Sequence, residues 1–75
     1  MIDTIAQCVR DGIEVASVEV SGEGGRFDIE VVSTAFDGLN RVKKQQLVYA
    51  TIKHLISEGS VHAVTIRALT PAEAG

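Results

Sequence analysis

This sequence has few of the residues from which most enzyme and metal sites are built. Its 75 residues include one cysteine, two histidines, one proline and no tryptophan. The single cysteine, Cys8, excludes an internal disulfide and any metal site made of cysteines alone. No Ser-His-Asp or Cys-His pattern can be read in the chain, and no pair of carboxylates stands out. We therefore expect this protein not to be an enzyme.

Long hydrophobic runs are also missing, so we expect no membrane-spanning segment and no membrane partner. The first residues, MIDTIAQ, carry an acid early and no basic cluster, which argues against a signal peptide. A chain this short buries only about 60% of the surface that its unfolded form exposes, which leaves little room for a deep pocket. We expect one domain over residues 1–75 that is cytoplasmic and, on its own, monomeric.

Charge of positive sign is scarce in the first half of the chain. The net charge is −3 and the isoelectric point about 5.2. Eight acidic and two basic side chains lie in residues 1–37, whereas five basic and two acidic ones follow. The protein is thus acidic overall but carries a local basic segment. Domains that bind nucleic acid non-specifically are usually more basic.

Hydrophobic periodicity predicts a small α+β domain. Strands are indicated by alternating residues and helices by three- and four-residue steps. The predicted order is a helix over 3–12, strands over 15–21 and 26–33, a short helical turn within 33–38, a main helix over 40–58, a strand over 61–68 and a helix start at Thr70 and Pro71. The glycines of residues 22–25 predict a hairpin turn. Each strand has one polar face, so we expect helices on one side of a three-stranded sheet.

The main helix has two features of interest, an apolar stripe and a basic start. The stripe comprises Val42, Val48, Tyr49, Ile52, Leu55 and Ile56, and Tyr49 is expected in the core. Arg41, Lys43 and Lys44 lie in the first turn, where the helix dipole disfavours cations. They indicate either an anion-binding helix start or simply a solvated basic face.

Three single side chains have both a functional and a structural interpretation. His62, at the start of the last predicted strand, is either a metal ligand or a polar residue at the rim of the sheet. One imidazole cannot form a metal site alone, so a ligand role requires donors from a partner. His54 is predicted to be exposed. Cys8 is predicted to be a small packed hydrophobe rather than a reactive thiol.

Several segments together resemble the BolA family of small proteins, and the resemblance covers nearly the whole chain. They are Val31–Ser33 (VVS), Phe36–Tyr49 (FDGLNRVKKQQLVY), His62–Ile66 (HAVTI) and Thr70–Pro71 (TP). The resemblance implies a class II KH-like fold, α-β-β-α-α-β, with a mixed three-stranded sheet. It also implies a monothiol glutaredoxin as partner. A two-iron two-sulfur cluster would then be bridged by the glutaredoxin cysteine, glutathione and a histidine that matches His62.

The family's second role, nucleic-acid binding in transcriptional regulation, stress response and cell morphology, is the alternative. The corresponding loop is Gly38-Leu39-Asn40-Arg41, with Lys43 and Lys44 after it. The resemblance thus implies an anion-binding site at Gly38, Asn40, Arg41, Lys43 and Lys44. One departure concerns the first hairpin, where relatives often have a second histidine or cysteine ligand. The matching residue here is Arg26, which cannot bind iron because it stays protonated.

Overall fold

A computed structural model describes all 75 residues. Its elements are α1 (Ile2–Gly12), β1 (Ser17–Glu23), β2 (Arg26–Val32), a 3-10 turn (Thr34–Phe36), α2 (Arg41–Ser57), β3 (Ala63–Leu69) and α3 (Pro71–Ala74). The α+β fold class is confirmed, and the short helix predicted within residues 33–38 is a single 3-10 turn. None of these helices has the length and apolar character needed to cross a membrane.

The three strands form one mixed sheet in the order β1-β2-β3. β1 pairs antiparallel with β2, and β2 pairs parallel with β3. The hairpin is tighter than predicted, because Gly22 and Glu23 still pair with Phe27 and Arg26. Only Gly24 and Gly25 form the turn, with φ angles of 62° and 80°. Two positive φ angles in a two-residue loop match the sheet's twist, which explains the glycines.

The core lies between the sheet and the two long helices. Its eleven buried side chains are Ile5, Val9, Ile13, Phe27, Ile29, Val31, Phe36, Val48, Ile52, Leu55 and Val61. On the opposite face of the sheet, Glu19, Asp28 and Arg67 are exposed or only partly covered by their neighbours. The helices therefore cover one face of the sheet, as the strand pattern predicts.

The position of α2 on the sheet corrects one part of the prediction. Val48, Ile52 and Leu55 are buried, but Val42 and Tyr49 are 62% and 41% exposed. Successive residues turn by roughly 100° around a helix, so Val42 and Tyr49 lie about 90–115° away from the centre of the buried side. That side of α2 faces the open edge of β3, where no fourth strand covers it. The prediction that Tyr49 is a core residue is wrong.

Candidate functional site

His62 lies in the bend that leads into β3, and the backbone of the hairpin turn holds it there. The main-chain N–H groups of His62 and Ala63 both donate to the carbonyl oxygen of Gly25, at 2.7 and 3.1 Å. These two bonds tie the start of β3 to the turn between β1 and β2. The main chain at His62 is therefore fixed by the glycine hairpin.

The imidazole of His62 is exposed, and neither ring nitrogen takes part in a side-chain hydrogen bond. Because the ring is exposed, water can satisfy its nitrogens, and a polar rim residue fits this arrangement as well. An accessible imidazole nitrogen without a protein partner is also available to a metal such as iron or zinc. The arrangement is therefore compatible with both interpretations left open by the sequence.

No other metal-binding side chains join His62. The chain contains no cluster of three or more His, Cys, Asp or Glu residues that could hold a metal ion. Arg26 is exposed at the first position of β2, and its guanidinium cannot coordinate a metal. A metal site that included His62 would therefore need its other donors from elsewhere.

Cys8 and His54 are brought together by the packing of α1 on α2. The Sγ atom of Cys8 lies 3.8 Å from Nε2 of His54, although 46 residues separate them in the chain. Cys8 is half-buried against the core and His54 is exposed, as predicted for each. Nothing in the sequence signalled that they would be neighbours, because neither residue belongs to a motif that includes the other.

The basic start of α2 is built on a capped helix terminus. Asn40 is the N-cap, and its side-chain oxygen accepts a hydrogen bond from the Lys43 backbone N–H at 2.9 Å. Such a cap stabilises a helix by about 1 kcal/mol. Gly38 has a φ angle of +79° in the turn just before. The side chains of Arg41 and Lys43 are exposed, so two of the three predicted cations face solvent.

Lys44, unlike Arg41 and Lys43, forms an ion pair within the chain. Its ammonium lies 2.6 Å from the Glu73 carboxylate, and its side chain is only 12% exposed. Glu73 also accepts the backbone N–H of Thr70 at 2.9 Å, within the predicted capping box of α3. The hydrogen bond from Lys44, followed by that from Thr70, lowers the pKa of Glu73 to about 2. The predicted three-cation cluster is thus reduced to Arg41 and Lys43.

A shallow groove between α2 and β3 was missed by the sequence analysis. Its lining residues are Val42, Gln45, Gln46, Tyr49, Val64 and Ile66. The signal that could have found it is the seven-residue spacing of Val42 and Tyr49, which places both on one side of the helix. Whether that side is buried depends on which strand is at the edge of the sheet, and helix periodicity does not contain that information.

Comparison with known proteins identifies the family. A family model described as BolA-like protein matches residues 9–73. This chain belongs to the BolA-like family. The acid stress protein IbaG of Escherichia coli K12 is 42% identical over 69 residues, which cover 92% of this chain and 82% of that protein.

Solved structures of BolA-like proteins share the fold of this chain. The BolA domain of SufE1 from Arabidopsis thaliana superposes with a TM-score of 0.83 at 30% identity, covering 96% of this chain and 93% of that domain. BolA1 from the same plant reaches a TM-score of 0.88 at 23% identity, over 99% and 95% of the two chains. The mixed sheet with helices on one face is therefore the common BolA-like architecture.

Proposed function

We propose that this BolA-like protein is a partner of a monothiol glutaredoxin and supplies His62 as one ligand of a shared two-iron two-sulfur cluster. The observation that carries the proposal is the exposed imidazole of His62, held by the hairpin backbone with both nitrogens free of side-chain hydrogen bonds. Family membership adds the partner, because the BolA family resemblance implies a glutaredoxin that contributes its cysteine and a glutathione.

The residues present fit a shared centre better than a centre confined to this chain. His62 provides one imidazole nitrogen, and the chain has no cluster of further donors. The partner and glutathione would then supply the remaining ligands, and we expect the isolated chain to hold no cluster. When bound, the cluster supplies iron and sulfide for delivery or for sensing iron supply. The part of this chain is to present the exposed ring to the partner.

The test compares the two histidines of the chain. The protein is mixed without oxygen with a monothiol glutaredoxin, glutathione, ferrous iron and sulfide, and visible circular dichroism is recorded. We expect a spectrum that differs from that of glutaredoxin alone. His62→Ala should restore the spectrum of glutaredoxin alone, whereas His54→Ala, which removes the other exposed imidazole, should leave the mixed spectrum unchanged.

Two outcomes contradict the proposal. One is a wild-type mixture with the same spectrum as glutaredoxin alone. The other is a mixed spectrum that His62→Ala leaves intact in shape and lifetime, since the imidazole would then not be a ligand.

A second candidate function is nucleic-acid binding at the start of α2. Its support is the pair of exposed cations, Arg41 and Lys43, beside the capped helix terminus and the Gly38 turn. Phosphates would be held by these charges and by free N–H groups of the helix start. Binding of a short DNA duplex, measured by fluorescence anisotropy, should weaken with salt. Lys43→Ala should reduce the slope against log salt by roughly one unit, whereas Lys53→Ala on the same helix should not. Salt-independent binding would contradict this function.

Both candidates make the protein a binding module rather than an enzyme, and we propose that it acts in the cytoplasm. Its relative IbaG is named an acid stress protein. On that basis we propose a role in the response to stress for this chain as well. Survival of a deletion strain after acid exposure, with and without the gene restored, tests that role.

A further inference from the structure

We propose that Gly25 positions the imidazole ring of His62. The ring occupies the space that a side chain at position 25 would fill. The inference deepens the proposed function, because it concerns how the ring is held for a ligand role. It rests on the contact between the hairpin turn and the ring, which is separate from the observation that the ring nitrogens are free.

The contact is too close for any side chain at position 25. A Cβ atom built on Gly25 would overlap Cδ2 of His62 and lie 3.2 Å from Cγ and 3.4 Å from Nε2. Real Cβ atoms essentially never approach another heavy atom within 3.0 Å. Every other L-residue at this position therefore forces the ring to move or the turn to open.

The same glycine also fixes the backbone that carries the ring. Its carbonyl oxygen accepts the N–H groups of His62 and Ala63. Gly25 thus binds the main chain of His62 through its carbonyl oxygen and also lies directly beside the imidazole ring. The Cδ2 edge of the ring rests on the turn, so the opposite edge, formed by Nδ1 and Cε1, is directed away from it. A ring held in one orientation loses less freedom when it binds, which strengthens a bond to a partner's metal.

Gly24 provides a matched control. Gly24 and Gly25 both have left-handed φ angles, +62° and +80°, so alanine is strained at either position. A Cβ atom at Gly24 meets nothing within 4 Å, however, whereas one at Gly25 meets the imidazole. The difference between Gly25→Ala and Gly24→Ala therefore isolates the contact with His62 from backbone strain.

The first experiment uses the free protein and needs no cluster. Nuclear Overhauser contacts between the Hδ2 proton of His62 and the backbone of residue 25 should be strong in the wild type and in Gly24→Ala. They should be lost in Gly25→Ala. Should Gly25→Ala fail to fold, Gly25→Asn replaces it with Gly24→Asn as its control, because asparagine tolerates a positive φ but still carries a Cβ atom. Retention of the contact in a folded variant at position 25 overturns the proposal.

The second experiment uses the complex with glutaredoxin. Loss of the cluster to a chelator should be on the order of tenfold faster with Gly25→Ala than with Gly24→Ala, an effect typical of residues that orient a metal ligand. Equal rates overturn the positioning role while leaving the ligand role of His62 intact. If the wild-type mixture forms no cluster, the proposed function fails, and the contact measured in the free protein still decides whether Gly25 seats the ring.

Discussion

The side chains that flank the two ends of β3 differ in whether they have a bonding partner within the chain. Just before the strand, His62 is held through its backbone and its imidazole is left free of hydrogen bonds. Just after it, Glu73 binds Lys44 at 2.6 Å and neutralises one of the three cations at the start of α2. An imidazole without a side-chain hydrogen bond is thus exposed at one end, while the charge of Lys44 is paired at the other. This contrast supports the proposed ligand role more than the proposed phosphate binding.

The largest effects are expected when the exposed cations of α2 and the imidazole of His62 are removed in separate variants. Arg41→Ala combined with Lys43→Ala should remove the exposed cations and leave the visible spectrum of the cluster complex unchanged. His62→Ala should abolish that spectrum and leave any DNA binding within about twofold of the wild type, because His62 lies outside the proposed phosphate site at the start of α2. Circular dichroism of the complex and fluorescence anisotropy with DNA measure the two effects.

If the two sets of substitutions affect both measurements equally, the ends are not independent. The likeness of the two effects would then indicate one shared binding surface, and the contrast between the ends of β3 would have no functional meaning.

A smaller effect on DNA binding is expected when Lys44 loses its ion pair with Glu73. Glu73→Gln keeps an oxygen for the Thr70 N–H but removes the carboxylate that binds Lys44. Lys44 then becomes available to phosphate, so DNA affinity at low salt should rise a few-fold and the salt slope should steepen by up to about 0.9. Fluorescence anisotropy across a salt series measures both.

Glu58→Gln is the control for net charge, because it removes one negative charge at the other end of α2. The same gain in affinity from both variants would show that overall charge, and not release of Lys44, is responsible. No gain from Glu73→Gln would show that the pair with Lys44 does not limit anion binding.

The parts of the fold that follow from local pattern could be predicted from the sequence. The alternation in β1 and β2, the glycine turn, the Asn40 cap and the Thr70–Glu73 capping box each depend on residues close together in the chain. Strand bounds were less accurate, because Gly22 and Glu23 read as turn residues although they complete the antiparallel pairing with β2.

Features that depend on packing between distant elements were not predictable in the same way. The Lys44–Glu73 pair joins residues 29 apart, and the Cys8–His54 contact joins residues 46 apart. The exposure of Tyr49 depends on β3 being an edge strand, which helix periodicity does not encode. The contact between the His62 ring and Gly25 likewise depends on how the hairpin packs beside the start of β3. The sequence was enough to select candidate residues. Whether each side chain is exposed, buried or paired could be learned only from the fold.

The smallest expected effect concerns the pH dependence of the Lys44–Glu73 pair. The folded-state pKa of Glu73 is about 2, below its usual value of 4.5. Since the pKa is lowered on folding, the pair's contribution to stability is complete above about pH 4.5 and is lost as the pH falls towards 2. The difference in urea midpoint between the wild type and Glu73→Gln should therefore narrow between about pH 6 and about pH 2.5. Because Glu73 is exposed, added salt should narrow it as well. A difference that stays constant across this range would mean that the carboxylate contributes no pairing energy, and Lys44 would then be as free as Arg41 and Lys43.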